Sequence, residues 1–373
     1  MTAPWVNSLN WEIKFFKIMK PVRYGIIGAG VIANAMTKAF KESPDSVAVA
    51  VADVNPEAAQ KLADAVGVTA IYADYHEMLA DPEIDAIYIA TPPFLHKPMT
   101  IDALRAGKHV CCEKPFVLTR QEVVDVIEVN KTVPHLKVIS CSSRYQNSGT
   151  ARKARAMIEG GDLGEVYRVH FEHITEGYKI GTVFPEWRND PAKNGGGISF
   201  DWGPYDLDWL SFVLGDHFKP RVVFGTIGNY FPLSDQRIPP CLDVDGRLAA
   251  EIICDNGLTI HWERRAAEHG PARHNVEIRG RKAGLDLTFL SMGEKRKLHH
   301  YAFEGAEDLK ETILPDDEPE WDKTLTYSIH ELTAAINEDR EPSSRLEHYL
   351  SIQGIFDALL ESARTQQAVR IPE

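Results

Sequence analysis

The chain lacks the features that would place it in a membrane or on nucleic acid. No apolar run approaches the roughly 20 residues that a membrane-spanning helix needs. Basic residues are outnumbered, 41 against 54 acidic ones, which gives a formal net charge of −13 at pH 7. So acidic a balance disfavours binding to nucleic acid or to an anionic membrane surface. We therefore expect a soluble globular protein with neither kind of partner.

Cysteine is scarce and follows neither a ligand pattern nor a disulfide pattern. The five cysteines are odd in number, no C-x-x-C spacing occurs, and the 14 histidines are scattered. Most of the cysteines fall inside apolar, strand-like runs, as small buried residues do in a reducing compartment. We expect no disulfide framework, no metal site and a cytoplasmic location. The five are Cys111, Cys112, Cys141, Cys241 and Cys254.

The opening segment, Met1–Ile18, does not look like a targeting signal. Lys14 and Lys17 interrupt its aromatic residues, and it has neither a clean apolar core nor a small-residue cleavage site. Two interpretations stay open: a mispredicted start, or an arm that packs on a neighbouring subunit. Met19 stands directly before the first predicted strand, which favours the first interpretation.

A dinucleotide-binding fingerprint follows this segment. The β-rich run Val22–Ile27 leads into G-x-G-x-x-A, and a helical pattern continues to Lys41, which is the context that the fingerprint requires. Gly28 permits the tight turn, and Gly30 lets the backbone approach a pyrophosphate. The helix start offers unpaired N–H groups to the phosphates. A glycine-rich turn without a nucleotide is the alternative. The fingerprint residues are Gly28, Gly30, Val31, Ile32 and Ala33.

A carboxylate after the second strand indicates which dinucleotide binds. The apolar run Val47–Ala52 ends at Asp53, about twenty residues past the glycines. A carboxylate there accepts hydrogen bonds from the ribose hydroxyls and repels a 2′-phosphate. The next three residues, Val54 to Pro56, include no arginine that would welcome one. The sequence therefore predicts NAD(H) rather than NADP(H).

A lysine at the end of a later strand is the first candidate for chemistry. The run from Gly107 to Lys114 is typical of a short buried strand, and Pro115 must end it because proline cannot extend a parallel ladder. In an open α/β sheet, ligands bind at the carboxyl edge of the strands. Lys114 is therefore predicted to lie at that edge, with a solvated surface charge as the alternative.

The order of elements predicts two domains of different architecture. At 373 residues the chain is too long for one ordinary core. Residues 19–143 alternate strand and helix, as in a doubly wound parallel sheet. Residues 144–373 predict an α+β domain with an open, mainly antiparallel sheet and a last helix that can pack back on the first domain. Gly305–Asp322 is predicted to be an acidic loop, and two closing helices are predicted over Lys323–Asn337 and Arg345–Thr365.

These motifs, in this order, resemble the Gfo/Idh/MocA family of oxidoreductases. The resemblance runs from Val22 nearly to the C-terminus. It implies an N-terminal Rossmann domain that binds NAD, a C-terminal sheet domain that often mediates oligomer contacts, and a substrate cleft between them. Family substrates are typically sugars and cyclitols, in which a carbinol is interconverted with a ketone, so we expect a homodimer or homotetramer with such a substrate. Matching segments include Thr91-Pro92, Ala106–Val110, Glu113-Lys114-Pro115, Gly160–Val166, Gly195–Gly197 and Glu361–Ala363.

The family's third motif, D-x-G-x-H-x-x-D, occurs here as residues 201–208 with Tyr205 in place of the histidine. The glucose–fructose oxidoreductase and dihydrodiol dehydrogenase branches share this tyrosine and a Trp-Arg pair upstream. The replacement leaves the identity of the general base open. The resemblance implies Lys114, Tyr205 and Asp201 as catalytic residues. For the cofactor it adds Thr91, Pro92, His96, Glu113 and Lys114, and for the substrate Arg144, Trp187, Arg188, Asp201, Tyr205 and Asp208.

Oxidising a carbinol requires a hydride acceptor and a group that takes the hydroxyl proton. A free phenol has a pKa near 10, which makes it a poor base at neutral pH. At ~4 Å and an effective dielectric of about 20, a unit charge pair interacts by roughly 4 kcal/mol. Lys114 at that distance would lower the pKa of the Tyr205 phenol, whereas Asp201 would raise it. The sequence leaves open which of the two lies closer.

Each site residue also has a structural alternative. Asp201 would cap a helix that begins near Pro204, and Tyr205 would be a core aromatic. Asp208, on a neighbouring helical face, would orient a substrate hydroxyl or pair with a lysine. A hydrogen-bonded or packing role competes with ligand binding at His96, Arg144, Trp187 and Arg188.

Three functions are compatible with these residues. The leading hypothesis is an NAD-dependent dehydrogenase of a sugar, cyclitol or related polyol. The second is a glycosidase or lyase that oxidises its substrate transiently and regenerates NAD in each turnover. The third is a nucleotide-sensing regulator without catalysis, and the presence of both Lys114 and Asp201 counts against it.

Overall fold

Two β-sheets organise the chain in a computed structural model that describes residues 20–176, 186–229, 244–289, 297–305, 307–314 and 321–372. The predicted extension 1–18 lies outside the described residues, as does Cys241. One sheet has six strands and the other has nine. None of the helices within these ranges is long and apolar enough to cross a membrane.

The first sheet is parallel and doubly wound. Its strands lie in the order β3-β2-β1-β4-β5-β6, so the strand order reverses between β1 and β4. Ligands of open α/β sheets bind at the carboxyl ends of the strands beside such a reversal. The strands are β1 Val22–Ile27, β2 Ser46–Ala52, β3 Ala70–Tyr72, β4 Ala86–Ile89, β5 His109–Cys112 and β6 Val138–Ser140. The helices are α1 Val31–Ala35, α2 Lys38–Lys41, α3 Pro56–Val66, α4 Tyr75–Leu79, α5 His96–Arg105 and α6 Arg120–Thr132.

Continuous apolar strands explain why this sheet is covered on both faces. Every residue of β4 is buried, and so is every residue of β5 except His109. Parallel strands between two layers of helices have this uniform burial. The predicted helix through Asn34 to Lys41 is interrupted after Ala35. The interruption coincides with side-chain bonds to the backbone, from Asn34 to the Gly30 carbonyl (2.8 Å) and from Thr37 to the Asn34 carbonyl (3.0 Å).

The second sheet is mainly antiparallel, as predicted. Its order is β14-β13-β12-β11-β7-β10-β9-β8-β15, and among the described strands of this sheet only β7 and β10 pair in parallel. The strands are β7 Val166–Glu176, β8 Pro220–Gly228, β9 Arg247–Cys254, β10 Thr259–Glu268, β11 Arg273–Gly280, β12 Ala283–Leu287, β13 Leu298–Glu304, β14 Asp308–Leu314 and β15 Val369–Arg370. The helices are α7 Gly149–Glu159, α8 Pro191–Asn194, α9 Ile198–Leu214, α10 Trp321–Leu325, α11 Tyr327–Glu338 and α12 Leu346–Thr365.

The predicted loop Gly305–Asp322 is wrong over part of its length. Asp308–Leu314 forms β14 at the edge of the sheet, and Trp321 already starts α10. All residues of β14 except Leu314 are exposed, so the strand shows none of the alternation between buried and exposed positions that sequence patterns detect. The single helix predicted over Lys323–Asn337 is two helices that meet at Thr326. The predicted boundary between residues 143 and 144 falls inside a 3-10 helix, Cys141–Asn147, and stays a prediction.

Helix α9 lies between the two sheets and is fastened to the second one by a buried ion pair. The Arg264 guanidinium donates to the Asp206 carboxylate, with Nε at 2.7 Å, and the Trp262 indole N–H donates to the same carboxylate at 3.0 Å. Removing one partner of such a pair strands a buried charge and is costly. The helix therefore has a fixed rotation about its axis, which decides where its other side chains point.

Candidate active site

The loop after β1 has the shape that a bound pyrophosphate requires. Gly28 has a φ of +93°, and a Cβ added there would lie 2.7 Å from the Ala90 carbonyl oxygen. Only glycine allows β1 and β4 to approach so closely. A Cβ added at Gly30 would meet nothing within 4 Å, so this stretch of backbone is open on its outer side. Ala33 is fully buried behind it.

Asp53 lies beside this loop with acceptor capacity to spare. Its carboxylate accepts the N–H of Ala29 at 2.6 Å and the N–H of Asn55 at 2.8 Å. A carboxylate has about four acceptor positions, so two are left for ribose hydroxyls. Val31 and Val54 flank it with apolar side chains that are each 91% exposed. The free acceptor positions of Asp53 and the open backbone at Gly30 fit a dinucleotide.

The ends of β4 and β5 are joined by a buried histidine. His96 contacts the Pro115 carbonyl through Nδ1 (2.7 Å) and the Thr91 carbonyl through Nε2 (2.9 Å). Two carbonyl acceptors favour the protonated ring, but burial outweighs them and lowers the pKa of His96. His96 therefore holds the loop of Thr91 and Pro92 in place, and its predicted contact with the cofactor stays a prediction.

Glu113 and Arg144 form a buried ion pair at the end of β5. Arg144 Nη2 lies 2.7 Å from Glu113 Oε1, which also accepts the Tyr88 hydroxyl at 2.9 Å. Burial raises the pKa of Glu113, but Arg144 and Tyr88 outweigh it and hold the pKa below its usual value. Both side chains are at most 5% exposed and have protein partners. Cofactor binding by Glu113 and substrate binding by Arg144 stay predictions, and in this structure the two side chains bind each other.

Lys114 points the other way and meets Asp201 on α9. Its ammonium donates to the Asp201 carboxylate at 2.6 Å and to the Asp201 backbone carbonyl at 2.5 Å. Burial raises the pKa of Asp201, but Lys114 and Arg188 outweigh it, so the carboxylate stays ionised. Burial lowers the pKa of Lys114, with Asp201 opposing. The result is a charged pair in which the pKa of Lys114 lies below its usual value.

The start of α9 explains where Asp201 lies. A Cβ on Gly197 would be 1.9 Å from the Asp245 carbonyl oxygen, so the glycine-rich turn presses against that segment. The Asp245 carboxylate accepts the N–H groups of Gly197 (2.7 Å) and Ser199 (2.8 Å). Gly197, not Asp201, is the N-cap residue, and Pro204 lies inside the helix. The alternative that Asp201 caps a helix near Pro204 is therefore wrong.

Tyr205 lies one turn beyond Asp201, and two cations lie over its ring. Lys114 Nζ is 5.1 Å from the ring centroid and the Arg144 guanidinium carbon is 5.4 Å from it. Tyr145 meets the ring edge-on at 4.9 Å. Within the described part of the chain the Tyr205 hydroxyl has no hydrogen-bond partner. Burial raises the pKa of Tyr205 well above its usual value, and Arg144 opposes this.

The Trp-Arg pair reaches the same place from a separate loop. Trp187 and Arg188 lie on a 3-10 helix, Glu186–Asn189. The Arg188 guanidinium is 3.7 Å from the Asp201 carboxylate and 5.4 Å from the Trp187 ring. Both side chains are half-buried. The structure thus gathers Lys114, Asp201, Tyr205 and Arg188 at the carboxyl edge of β5.

Comparison with known proteins identifies the family. Residues 22–137 match the GFO/IDH/MocA oxidoreductase family, NAD-binding Rossmann fold, and residues 151–286 match the GFO/IDH/MocA C-terminal domain. The inositol 2-dehydrogenase of Rhizobium meliloti (strain 1021) is 33% identical over 264 residues, 71% of this chain and 74% of that protein. The chain belongs to the GFO/IDH/MocA oxidoreductase family.

Further GFO/IDH/MocA relatives extend over nearly the whole chain. The levoglucosan dehydrogenase of Pseudarthrobacter phenanthrenivorans is 24% identical over 95% of this chain and 99% of that protein. A solved structure of levoglucosan dehydrogenase in complex with NADH and levoglucosan has a TM-score of 0.81 at 23% identity. It covers 95% of this chain and 100% of that chain. At this identity the likeness shows the fold.

The last aspartate of the family's third motif lies behind the site. Asp208 is buried and accepts hydrogen bonds from Ser142 (2.6 Å), Gln146 (2.5 Å) and Ser344 (3.2 Å). Burial raises its pKa to about 6 against these donors. No cation lies among its described partners, so the lysine pair predicted for it does not form within the described residues, and its substrate contact stays a prediction. It joins α9 to the 3-10 helix Cys141–Asn147 instead.

Several supporting residues escape sequence patterns. The Tyr88 hydroxyl donates to Glu113, Tyr145 contacts the Tyr205 ring, and Asp245 fixes Gly197 of the glycine turn, 48 residues upstream. One local signal existed, because Tyr88 places a hydroxyl inside an otherwise apolar buried strand, where it needs a partner. No local signal marks Asp245, whose partners are far along the chain.

Replacing Gly30 or Gly28 of the β1–α1 loop with alanine should affect two different properties, the affinity for the cofactor and the free energy of unfolding. Gly30→Ala should raise the Kd for NADH at least about tenfold, because its Cβ stands where the pyrophosphate approaches. It should change the free energy of unfolding by less than about 1 kcal/mol, since the added atom meets no neighbour. Gly28→Ala should cost more than about 1 kcal/mol because of its positive φ. Fluorescence titration measures the Kd for NADH, and urea unfolding measures the free energy of unfolding. Equal Kd values for Gly30→Ala and the unmodified protein would contradict the placement of the pyrophosphate at Gly30.

Asp208 should give the protein a measurable pH dependence of stability. Its folded-state pKa of about 6 lies above the ordinary 3.8, so the folded state holds the proton more tightly. The unfolding free energy relative to Asp208→Asn should then fall as pH rises from about 4 to about 6, by up to about 3 kcal/mol, and stay level above that. Urea unfolding across this range measures it. Asp64→Asn, at an exposed position of α3, is the control; a level difference for Asp208→Asn would show that the carboxylate is not buried.

Proposed function

We propose that this protein is an NAD-dependent oxidoreductase that interconverts a carbinol and a ketone on a sugar, cyclitol or related polyol. The single observation that carries the proposal is the meeting of Lys114, Asp201 and Tyr205 at the carboxyl edge of β5. This edge lies two strands from the glycine loop in the same sheet. A dinucleotide that extends along the edge from Asp53 and Gly30 therefore points toward these side chains.

The chain's own residues define the cofactor's place. Gly28, Gly30 and the start of α1 would hold the pyrophosphate, Asp53 the adenosine ribose, and Thr91 and Pro92 the far half of the molecule. When bound, the nicotinamide supplies the hydride acceptor or donor. The carboxylate of Asp53 between two exposed valines favours NAD(H), since no cation among its described neighbours would receive a 2′-phosphate.

Lys114 is suited to orient the reacting oxygen. Its ammonium is held by Asp201, which keeps it charged, and its side chain remains 15% exposed toward the cleft. A charged donor at a reacting oxygen stabilises the negative charge that develops there. Burial also makes the proton of Lys114 easier to lose, so the lysine can share in its exchange.

Tyr205 is suited to act as the proton donor. Lys114 is engaged by Asp201, and burial raises the pKa of Tyr205, so its neutral form is favoured at pH 7. A neutral phenol gives up a proton only as negative charge develops on the substrate oxygen. Tyr205 is therefore matched to ketone reduction, and carbinol oxidation follows the same path in reverse.

The substrate class is supported by the loop that carries Trp187 and Arg188. A tryptophan face suits the apolar face of a sugar ring, and an arginine suits hydroxyl oxygens. Several relatives bear the names of enzymes that act on polyhydroxy compounds, inositol 2-dehydrogenase and levoglucosan dehydrogenase among them. We infer the same broad class for this chain, with the particular sugar or polyol to be found by a panel.

The catalytic pair is tested by two substitutions. Lys114→Ala should lower turnover at least ~100-fold while NAD affinity stays largely intact, because the lysine orients the reacting oxygen. Tyr205→Phe should remove one ionisation from the pH–rate profile without disturbing the fold. A sugar and cyclitol panel with NAD, followed by absorbance of reduced nucleotide, measures both. Lys137→Ala is the control, because Lys137 directly precedes β6 and pairs with Glu341.

The same panel separates the competing functions. Near-full activity of Tyr205→Phe with an unchanged pH profile would assign proton exchange to Lys114, Asp201 or water. Bond cleavage without accumulation of reduced nucleotide would identify a glycosidase or lyase. Tight NAD binding with no turnover on any polyol would identify a regulator.

We also propose that the protein acts as a homodimer or homotetramer in a reducing, cytoplasmic setting. Phe303, Leu309 and Ile313 lie on one face of β13 and β14 and are each more than half exposed, a patch that suits a second copy. The described cysteines are all buried and unpaired in disulfides, which suits a reducing compartment. Leu309→Glu with Ile313→Lys should lower the mass seen by light scattering, whereas Leu360→Lys on α12 should leave it unchanged. A monomeric unmodified protein would contradict this.

A further inference from the structure

Two ion pairs each place a cation over the same phenol ring. The neighbours Glu113 and Lys114 each complete a pair, Glu113 with Arg144 at 2.7 Å and Lys114 with Asp201 at 2.6 Å. The cation of each pair lies over the Tyr205 ring, Lys114 at 5.1 Å and Arg144 at 5.4 Å from its centroid. The two pairs differ in exposure: the Lys114 side chain is 15% exposed, whereas the Arg144 side chain is only 3% exposed.

Arg144 is held rigidly in that position. Its Nε donates to the Cys141 carbonyl at 3.0 Å, and its Nη2 donates to Glu113. Glu113 is fixed in turn by the Tyr88 hydroxyl (2.9 Å) and by the Lys114 N–H (3.2 Å). A cation fixed over an aromatic ring attracts a phenolate more strongly than a neutral phenol, because the charge of the anion spreads into the ring. Arg144 has this geometry and no route to the substrate.

We propose that Arg144 is a positioning residue that stabilises the negative charge Tyr205 acquires when it gives up its proton, and that Glu113 sets how strongly it does so. The inference rests on the proposed function of Tyr205 as proton donor. Arg144 and Glu113 act on the pKa of Tyr205 with opposite signs, the first lowering it and the second raising it. A change in either member of the ion pair should therefore change the pKa of Tyr205. The titratable and charged groups that act on Tyr205 are Glu113, Lys114, Cys141, Arg144 and Tyr145, and Asp201 and Asp208 lie about one turn away on its own helix.

The proposal predicts shifts of opposite sign from the two halves of one ion pair. Glu113→Gln removes the counter-charge of Arg144, so Tyr205 should ionise at least about one pH unit lower, the low end of what a neighbouring unit charge does. Arg144→Met should shift the ionisation upward by a similar amount. A role confined to packing would give no shift, or shifts of the same sign.

Tyr205 ionisation can be read without any substrate. Protein labelled with 3,5-difluorotyrosine, whose phenol ionises at lower pH than tyrosine, is titrated by ¹⁹F NMR in the presence of NAD. Tyr205→Phe identifies the Tyr205 signal among the 12 tyrosines. Lys137→Met, which breaks the ion pair with Glu341 far from the ring, should leave the midpoint in place.

The test needs variants that remove or keep one charge without unfolding the protein. Arg144→Met leaves the Glu113 carboxylate buried without its cation and endangers folding. Glu113→Gln keeps the shape of the side chain, and Arg144→Lys keeps a charge. The double variant Glu113→Gln/Arg144→Met removes both charges and should return the midpoint close to that of the unmodified protein. A Glu113→Gln midpoint that is unmoved or higher would overturn the inference.

The kinetic readout separates this inference from the proposed function. With a polyol that the enzyme turns over, the alkaline limb of the pH profile of kcat should move in the same directions as the fluorine midpoints. Shifted fluorine midpoints in a protein without turnover on any polyol would refute the oxidoreductase role of the site. Unshifted midpoints in an active enzyme would refute the role of Arg144 alone.

Discussion

The ion pair between Lys114 and Asp201 is the contact on which the site depends, because it joins the parallel sheet to helix α9. Lys114 comes directly after β5, and Asp201 lies in the first turn of α9. Neither residue would be held in place by its own element alone. Their 2.6 Å contact closes the carboxyl edge of the first sheet against the second half of the chain. Together with the Asp206–Arg264 pair, this contact fixes the position of α9 relative to β5 and to the second sheet.

Burying four charges around one phenol is expensive, and the arrangement shows how the cost is limited. Each charge has a partner of opposite sign, and most have further hydrogen bonds: Glu113 accepts from Tyr88, and Arg144 donates to a backbone carbonyl. A buried ion pair contributes little to stability compared with apolar residues of the same volume. Two such pairs around Tyr205 are therefore better explained by the field they create at its ring than by the stability they give. Asp208 is the contrasting case, since its carboxylate is buried among neutral donors only and its pKa is raised to about 6.

The parts of the site that a sequence reveals are those whose geometry is local. The open backbone at Gly30, the tight turn at Gly28 and the position of Asp53 follow from one strand–turn–helix unit, and Lys114 follows from a proline that ends a strand. All four lie where the pattern predicts. The sequence does not predict which residues face Tyr205. Their positions depend on pairings across 31 to 87 residues of chain, such as Glu113 with Arg144 and Lys114 with Asp201. The missed strand β14 fails for a different reason, since an edge strand with nearly all residues exposed carries no alternating signal.

The choice of proton donor shows why distances and not residue types decide the chemistry. From sequence, Lys114 and Asp201 pull the pKa of Tyr205 in opposite directions and the balance is open. In the structure the two bind each other, so their opposing effects on the ring partly cancel, and burial and Arg144 become decisive. A tyrosine in this setting stays neutral at pH 7 and gives up its proton only as charge develops on the substrate. The replacement of the family's usual histidine by Tyr205 is therefore compatible with acid catalysis, provided that a fixed cation such as Arg144 receives the charge left on the ring.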